Sequence, residues 1–218
     1  MHTIGWHYEA SRHRLDALLR PLDDDAWLLP VAACPGWRVR DVLAHLVGNT
    51  EDGAAGRIQG GPPDEALTAE QVERHAGETP IELLDLWAIT GPFVADAVTE
   101  SGMWPAAFDV VTHEHDLRAA LGSPGVRDDD SITELAGLLA DQLAAAAPVV
   151  IDLGGRTVGS ATGDGPAITW RTTPFELLRT RLGRRSADQV TAMDWDGDPT
   201  PVLGVLFVFG PSPLPIAE

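Results

Sequence analysis

The chain of 218 residues contains no lysine, so all 15 of its basic residues are arginines. Lysine Schiff bases, lysine-anchored pyridoxal phosphate and the lysine-containing phosphate loop of nucleotide-binding proteins are therefore excluded. Against the arginines stand 33 aspartates and glutamates, which give a formal net charge of -18. Because this charge repels phosphate backbones and anionic lipid surfaces, we expect neither nucleic acid nor a membrane as a partner.

Cysteine is almost as scarce, since Cys34 is the only one. A single cysteine excludes an internal disulfide framework and is typical of a reducing cytoplasm. No apolar run approaches the roughly 20 residues that span a bilayer, and the first residues lack the basic and apolar regions of a secretory signal. We therefore expect a cytoplasmic globular protein, which agrees with its 44% content of hydrophobic residues.

The hydrophobic pattern divides the chain into two parts. Helical spacing predicts helices at about 4–19, 39–58, 68–75, 80–99 and 105–121, and a last long helix that follows 128–131 and ends near 147. Short β-like runs follow at about 149–153, 156–161 and 167–172, with a helix at 174–182 and a strand or buried end at 202–209. Loops are expected at 60–63 and 163–165. The prediction is a helical bundle at 1–147 and a small α/β domain at 148–218.

The most informative stretch is Asp109–Leu117, which reads DVVTHEHDL and lies in a predicted helix. Asp109 and His113 are four residues apart, so they share one helix face and can direct a carboxylate oxygen and an imidazole nitrogen to one point. Divalent metals such as zinc accept this pair, although a hydrogen-bonded or solvated pair is the commoner outcome of such spacing. A catalytic metal site also needs a third protein ligand and an open position.

His45 is the best candidate for the third ligand. It adjoins the apolar stripe of the helix predicted at 39–58, where a lone polar group needs a partner. Helical bundles commonly build metal sites from facing helices in this way. Within the Asp109 stretch, Glu114 and His115 point away from the face of His113. We expect both, and Asp116, on the helix surface; the alternative for Asp116 is to accept a hydrogen bond within the site or to pair with Arg118.

Two further features carry chemistry less clearly. Cys34 precedes Pro-Gly in a loop, and we expect it to be a small buried apolar group rather than a nucleophile. Four arginines cluster near the end of the chain: Arg179, Arg181, Arg184 and Arg185. They are expected to form a solvated helix face with local ion pairs, and the alternative is an anion-binding patch.

Three segments together resemble a known family. They are Cys34–Leu46, which reads CPGWRVRDVLAHL; Asp109–Gly122, which reads DVVTHEHDLRAALG; and the C-terminal motifs GRRS from Gly183, DWD from Asp194 and FGP from Phe209. This order of motifs is similar to the mycothiol-dependent maleylpyruvate isomerase family, a branch of the DinB-like metalloenzymes. The resemblance covers essentially the whole chain.

The resemblance implies a DinB-like four-helix bundle followed by a small α/β domain similar to sterol carrier proteins. It places a divalent metal, usually zinc, on His45, Asp109 and His113, and makes the thiol mycothiol a cosubstrate. The characterised pattern has glutamate where this chain has Asp109, which shortens that ligand by one methylene. A coordinated thiol would be stabilised as the thiolate and would attack a small electrophile, giving S-transfer or cis-trans isomerisation. Arg185 is the candidate for holding a carboxylated substrate.

Two alternatives to a thiol-using enzyme stay open. The same open metal position could activate a bound water, which would make the protein a hydrolase. The bundle could instead hold a small molecule without catalysis, around a structural metal or none. A fourth protein ligand, such as His7 or His13 from the first helix, would favour that second alternative.

Overall fold

The computed structural model describes residues 1–58, 64–160 and 168–218. The expected loop at 60–63 and turn at 163–165 lie outside these residues. The chain forms two compact units, Met1–Pro124 and Gly125–Glu218. This division falls before the last long helix, whereas the boundary expected from the sequence, at 147, follows it. Among the described residues, no helix combines the length and apolar character that crossing a bilayer requires.

The first unit is helical. Its helices are α1 (Ile4–Leu19), α2 (Val39–Ala54), α3 (Glu65–Arg74), α4 (Pro80–Ser101) and α5 (Pro105–Ala120), with a short 3-10 turn at Ala26–Leu28. The start of α4 shows how local sequence sets these bounds. Thr79 accepts from the backbone of Glu82 while the Glu82 side chain accepts from the Thr79 backbone, and Pro80 occupies the first turn. Gly102, with φ of 72°, ends the helix in the left-handed conformation.

The longer helices of this unit pack side by side. α1 packs against α4 and α5, and α2 packs against α3, α4 and α5. Fully buried apolar side chains line these contacts, among them Leu15, Leu43, Leu83, Trp87 and Leu117. Because α2 and α5 are neighbours in this core, polar residues on their facing sides are brought together away from bulk water.

The second unit combines helices with a small mixed sheet. Its elements are α6 (Asp130–Ala146), β1 (Val149–Asp152), β2 (Thr157–Val158), β3 (Ile168–Arg171), α7 (Pro174–Arg181), α8 (Ala187–Thr191), β4 (Asp194–Asp196) and α9 (Thr200–Leu206). The strand order is β2-β1-β3-β4; β1 and β3 run parallel, and the two outer pairs are antiparallel. α6 packs on α7 and on the first two strands, which explains why it belongs to this unit.

The end of the chain differs from the expected strand. α9 covers Thr200–Leu206, and its buried residues Val202 and Leu206 are one helical turn apart. A short apolar run has no clear period, so sequence alone does not separate a strand from a buried helix there. The strand alternative for 202–209 is therefore wrong. The protein is mostly helical, with one small four-stranded mixed sheet in its described part.

Candidate metal centre

The carboxylate of Asp109 lies between two imidazole rings. Its Oδ2 is 3.5 Å from Nε2 of His45, and its Oδ1 is 3.5 Å from Nε2 of His113. One potential ligand atom from each of the three residues lies within 4.8 Å of the other two. The structure thus brings together the three residues that the sequence singled out. His45 comes from α2, and the other two come from successive turns of α5.

Each imidazole is held at its other nitrogen. Nδ1 of His113 is 2.9 Å from Oδ2 of Asp116, and Nδ1 of His45 is 2.7 Å from Oε1 of Gln71. A carboxylate accepts hydrogen bonds, so Asp116 holds a proton on Nδ1 of His113, and Nε2 is the nitrogen that faces Asp109. Carboxylate or carbonyl partners of this kind are the usual support for metal-binding histidines.

Asp109 is itself supported. Asn49, one turn after His45 on α2, donates to its Oδ2 at 2.8 Å. Burial alone would raise the pKa of Asp109, but the neighbouring His45 and His113 and the hydrogen bond from Asn49 outweigh it and hold that pKa well below its usual range. The group is therefore ionised at neutral pH. The side chain of Asp109 is 26% exposed to solvent, whereas that of His45 is 3% exposed. The cluster is therefore open to solvent on the Asp109 side.

This donor set fits a divalent metal. Two imidazole nitrogens and one carboxylate are the three-ligand combination of many catalytic zinc sites. Within the described residues, neither His7 nor His13 belongs to a group of possible metal ligands. His13 is exposed and pairs with Glu9 on its own helix. The alternative with a fourth histidine from α1 is therefore not supported by the placement of these residues.

A turn brings Cys34 and Trp37 to the edge of the cluster. Trp37 N donates to Cys34 O across this turn, where Gly36 takes a φ of 87°. Sγ of Cys34 lies 3.7 Å from Oδ2 of Asp116 and 3.8 Å from Nδ1 of His113. The thiol is only half-buried and has polar neighbours, so the expectation of a small buried apolar group is wrong. Cys34, His113 and Asp116 form a second group of possible metal ligands.

The remaining polar residues of α5 are not on the surface. Glu114, His115 and Asp116 are all buried, so the expectation of a helix surface is wrong for each. Glu114 accepts from Ser11 and Arg14 of α1 and from Arg118 on its own helix. Asp116 takes the alternative role and accepts from His113. α5 therefore buries polar residues on several faces, and α1 supplies partners for one of them, Glu114.

The arginine cluster is also more buried than expected. Arg179, Arg181 and Arg185 are each exposed by 6% or less, so a solvated helix face is the wrong description. Arg185 donates to Glu176 at 2.8 Å and to Glu218 at 3.2 Å, and Arg179 pairs with Glu218 as well. Arg181 donates to the carbonyls of α9, and burial lowers its pKa. These residues belong to the second unit, and substrate binding by Arg185 stays a prediction.

Sequence reasoning missed three residues around the cluster: Gln71, Asn49 and Trp37. Asn49 had a readable signal, because it lies four residues after His45 and shares its helix face. The ring of Trp37 lies 5.2 Å from that of His45 between centroids, and Trp37 belongs to a motif that carried the family resemblance. Gln71 gave no signal, because its approach to His45 depends on how α3 packs on α2.

The fold and the cluster define a mostly helical protein with a small mixed sheet and a His-Asp-His group between two of its helices. Residues 8–119, just over half of the chain, match the family described as "Mycothiol maleylpyruvate isomerase N-terminal domain". The chain belongs to this family, which confirms the family predicted from its motifs. No curated protein matches it.

Two solved structures share the fold. A crystal structure of the mycothiol-dependent maleylpyruvate isomerase has a TM-score of 0.53 and 14% identity, covering 84% of this chain and 92% of the other. A histidine-to-alanine mutant of that isomerase gives the same TM-score and identity, covering 87% and 94%. At this identity the likeness concerns the fold, and it extends over both units of the chain.

Proposed function

We propose that this protein is a metal-dependent enzyme that uses mycothiol as cosubstrate and acts on a small electrophilic substrate, by cis-trans isomerisation or thiol transfer. The observation that carries the proposal is the convergence of His45, Asp109 and His113 on one point. Membership of the mycothiol maleylpyruvate isomerase family supports the thiol and the isomerase chemistry. We further propose that α1, α2, α4 and α5 form a DinB-like four-helix bundle and that the second unit is sterol-carrier-like.

Three residues would hold the metal, and zinc suits their donor set best. A divalent cation held there would supply Lewis-acid stabilisation of a thiolate at neutral pH. The other residues keep the ligands in place: Asp116 orients His113, and Asn49 orients the carboxylate of Asp109. Three protein ligands leave a position for an exogenous group.

The direction of access follows from the burial of the cluster. His45 and His113 are almost fully buried, while the Asp109 side chain retains about a quarter of its exposure. A thiol or substrate would therefore enter from the Asp109 side. Trp37 flanks the ring of His45, and the half-buried Cys34 lies beside Nδ1 of His113.

The test combines metal analysis with turnover. We expect about one zinc per chain, turnover of maleylpyruvate only with mycothiol present, and loss of both zinc and turnover in His113→Ala. His13→Ala is the matched control, because His13 is an exposed histidine of α1 whose polar partners in the described part of the chain are Arg12 and Glu9. A protein that takes up no zinc on titration overturns the proposal. Zinc-dependent turnover at the same rate with and without mycothiol would favour the hydrolase alternative instead.

Substrate binding by Arg185 is a separate proposal with its own test. A substrate carboxylate there would have to displace Glu176 or Glu218 from the guanidinium. Arg185→Gln should then raise KM for a carboxylated substrate without changing zinc content. An unchanged KM in a folded variant would show that Arg185 does not bind the substrate.

A further inference from the structure

A chain of buried side chains leads from His45 away from the metal cluster. Nδ1 of His45 is 2.7 Å from Oε1 of Gln71, and Nε2 of Gln71 donates to Oδ2 of Asp52 at 2.7 Å. Gln71 and Asp52 have no solvent-exposed surface, and His45 is 3% exposed. Asp52 also pairs with Arg74 at 2.9 Å and with Arg57. The chain therefore ends in two guanidinium groups.

The charge of Asp52 sets the direction of every hydrogen bond in this chain. Burial alone would raise its pKa, but hydrogen bonds from Arg74, Gln71 and Arg57 lower it, so the group is a carboxylate. A carboxylate can only accept, so Gln71 must turn its NH2 group toward Asp52 and its carbonyl toward His45. Nδ1 of His45 must then donate, which leaves Nε2 as the nitrogen that faces Asp109.

The backbone is built to allow this contact. Gly48 lies on α2, three residues after His45. A Cβ at this position would be 2.7 Å from Cβ of Gln71. Only glycine lets α3 come this close to α2 without a shift. The position of Gln71 thus depends on a specific packing of the two helices and is not an incidental surface contact.

We propose that Gln71 and Asp52 are positioning residues that fix the proton of His45 on Nδ1 and present Nε2 to the metal position. Asp116 does this for His113 directly, with its own charge. Gln71 orients His45 as a neutral side chain that links the ring to the carboxylate of Asp52. The charge of Asp52 is thus separated from His45 by Gln71, and it is balanced by Arg57 and Arg74. Only the consequence for metal affinity rests on the proposed function.

The first readout is the protonation state of His45 in the metal-free protein, read from its ring nitrogen-15 shifts at a pH of about 8, above the ordinary imidazole titration. We expect the proton on Nδ1 in the wild type. In Gln71→Met, which keeps the volume and removes the acceptor at Nδ1, the carboxylate of Asp109 still faces Nε2. The proton should therefore move to Nε2. This readout needs neither metal binding nor turnover.

The second readout is zinc affinity, measured by competition with a chromophoric chelator. Loss of a histidine's supporting partner typically lowers metal affinity about 10–100-fold, and we expect this range for Gln71→Met. The double variant Gln71→Glu with Asp52→Asn keeps both hydrogen bonds: the side chain at position 71 still accepts from Nδ1 of His45, and it now also accepts from the amide at position 52. Relative to Gln71→Met, it should restore the Nδ1 proton and most of the zinc affinity.

Glu51→Gln is the matched control, because Glu51 neighbours Asp52 and pairs with Arg74 and His75, and it makes no hydrogen bond with Gln71 in the described part of the chain. It should behave as the wild type in both readouts. If Gln71→Met fails to fold, the double variant decides alone. An Nδ1 proton retained in folded Gln71→Met, or a folded double variant with the proton on Nε2, would overturn the proposal whether or not the protein proves to be a zinc enzyme.

Discussion

Oδ2 of Asp116 lies 2.9 Å from Nδ1 of His113, one turn back along the same buried helix. The contact turns the other ring nitrogen of His113 toward Asp109, so a residue expected on the surface orients a proposed ligand. It also places a carboxyl group beside the cluster, with the Asp116 side chain wholly removed from solvent. The arrangement of α5 therefore joins a proposed ligand and its support within a single helix.

Removal of this support should weaken metal binding. Asp116→Ala leaves Nδ1 of His113 without its carboxylate, so the ring loses its fixed orientation and we expect zinc affinity to fall about 10–100-fold. Chelator competition measures the change. Asp96→Ala, at an exposed position of α4, should leave the affinity as in the wild type. Equal affinities for both variants would show that Asp116 does not orient a ligand.

Two glycines of α2 should respond in opposite ways to alanine. Gly48→Ala puts a Cβ 2.7 Å from Cβ of Gln71, and such overpacking typically costs about 1–3 kcal/mol. Gly53→Ala puts its Cβ at an ordinary 3.9 Å from Val94, and alanine in a helix is more favourable than glycine by up to about 1 kcal/mol. Chemical denaturation compares the two free energies of unfolding. A stabilised Gly48→Ala would mean that α3 does not approach α2 as described.

The single tyrosine gives an unambiguous pH prediction. Tyr8 is buried, its hydroxyl contacts Thr50 and Trp87, and burial raises its pKa to about 12. The folded-state pKa exceeds the ordinary value of about 10, so this contribution to stability is complete below about pH 10 and declines as pH rises toward 12. Tyrosinate absorbance follows the titration. Ionisation of the folded protein with a midpoint near 10 would contradict the buried position.

Glu114 should matter for stability and not for metal binding. It is fully buried and accepts from Ser11, Arg14 and Arg118. Glu114→Gln leaves two guanidinium groups without their counter-charge, and because both retain some exposure we expect a loss of about 1–3 kcal/mol. Thermal unfolding and zinc titration on one sample separate the effects. Reduced zinc affinity in a folded Glu114→Gln protein would place this residue in the site.

The parts of the fold that the sequence predicts are those that depend on local periodicity. α1 was predicted with its observed bounds, and Asp109 and His113 were placed on one face because helical spacing requires it. His45 is predicted as the third residue because a lone polar group on an apolar stripe needs a partner, and in the structure α2 contacts α5.

The rest depends on contacts between distant parts of the chain. Glu114 accepts a hydrogen bond from Arg14, which lies 100 positions away in the sequence. The local sequence around either residue does not predict this pair. Gln71 meets His45 only because α3 packs closely over Gly48. The strand alternative predicted for 202–209 was wrong for another reason: a short apolar run has no period that separates a strand from a helix. Local patterns predicted most of the described helices and two of the proposed ligands, while tertiary packing determined what supports them.

The most direct test of the account is X-ray absorption spectroscopy of the zinc-loaded protein without added thiol. If His45, Asp109 and His113 hold the ion, zinc should show two imidazoles and further oxygen or nitrogen scatterers at about 2.0–2.2 Å, with no sulfur. The rival group of Cys34, His113 and Asp116 would add a sulfur scatterer at about 2.3 Å. Sulfur that disappears in Cys34→Ser would contradict the proposed centre, and a spectrum unchanged by Cys34→Ser but lost in His45→Ala is the predicted result.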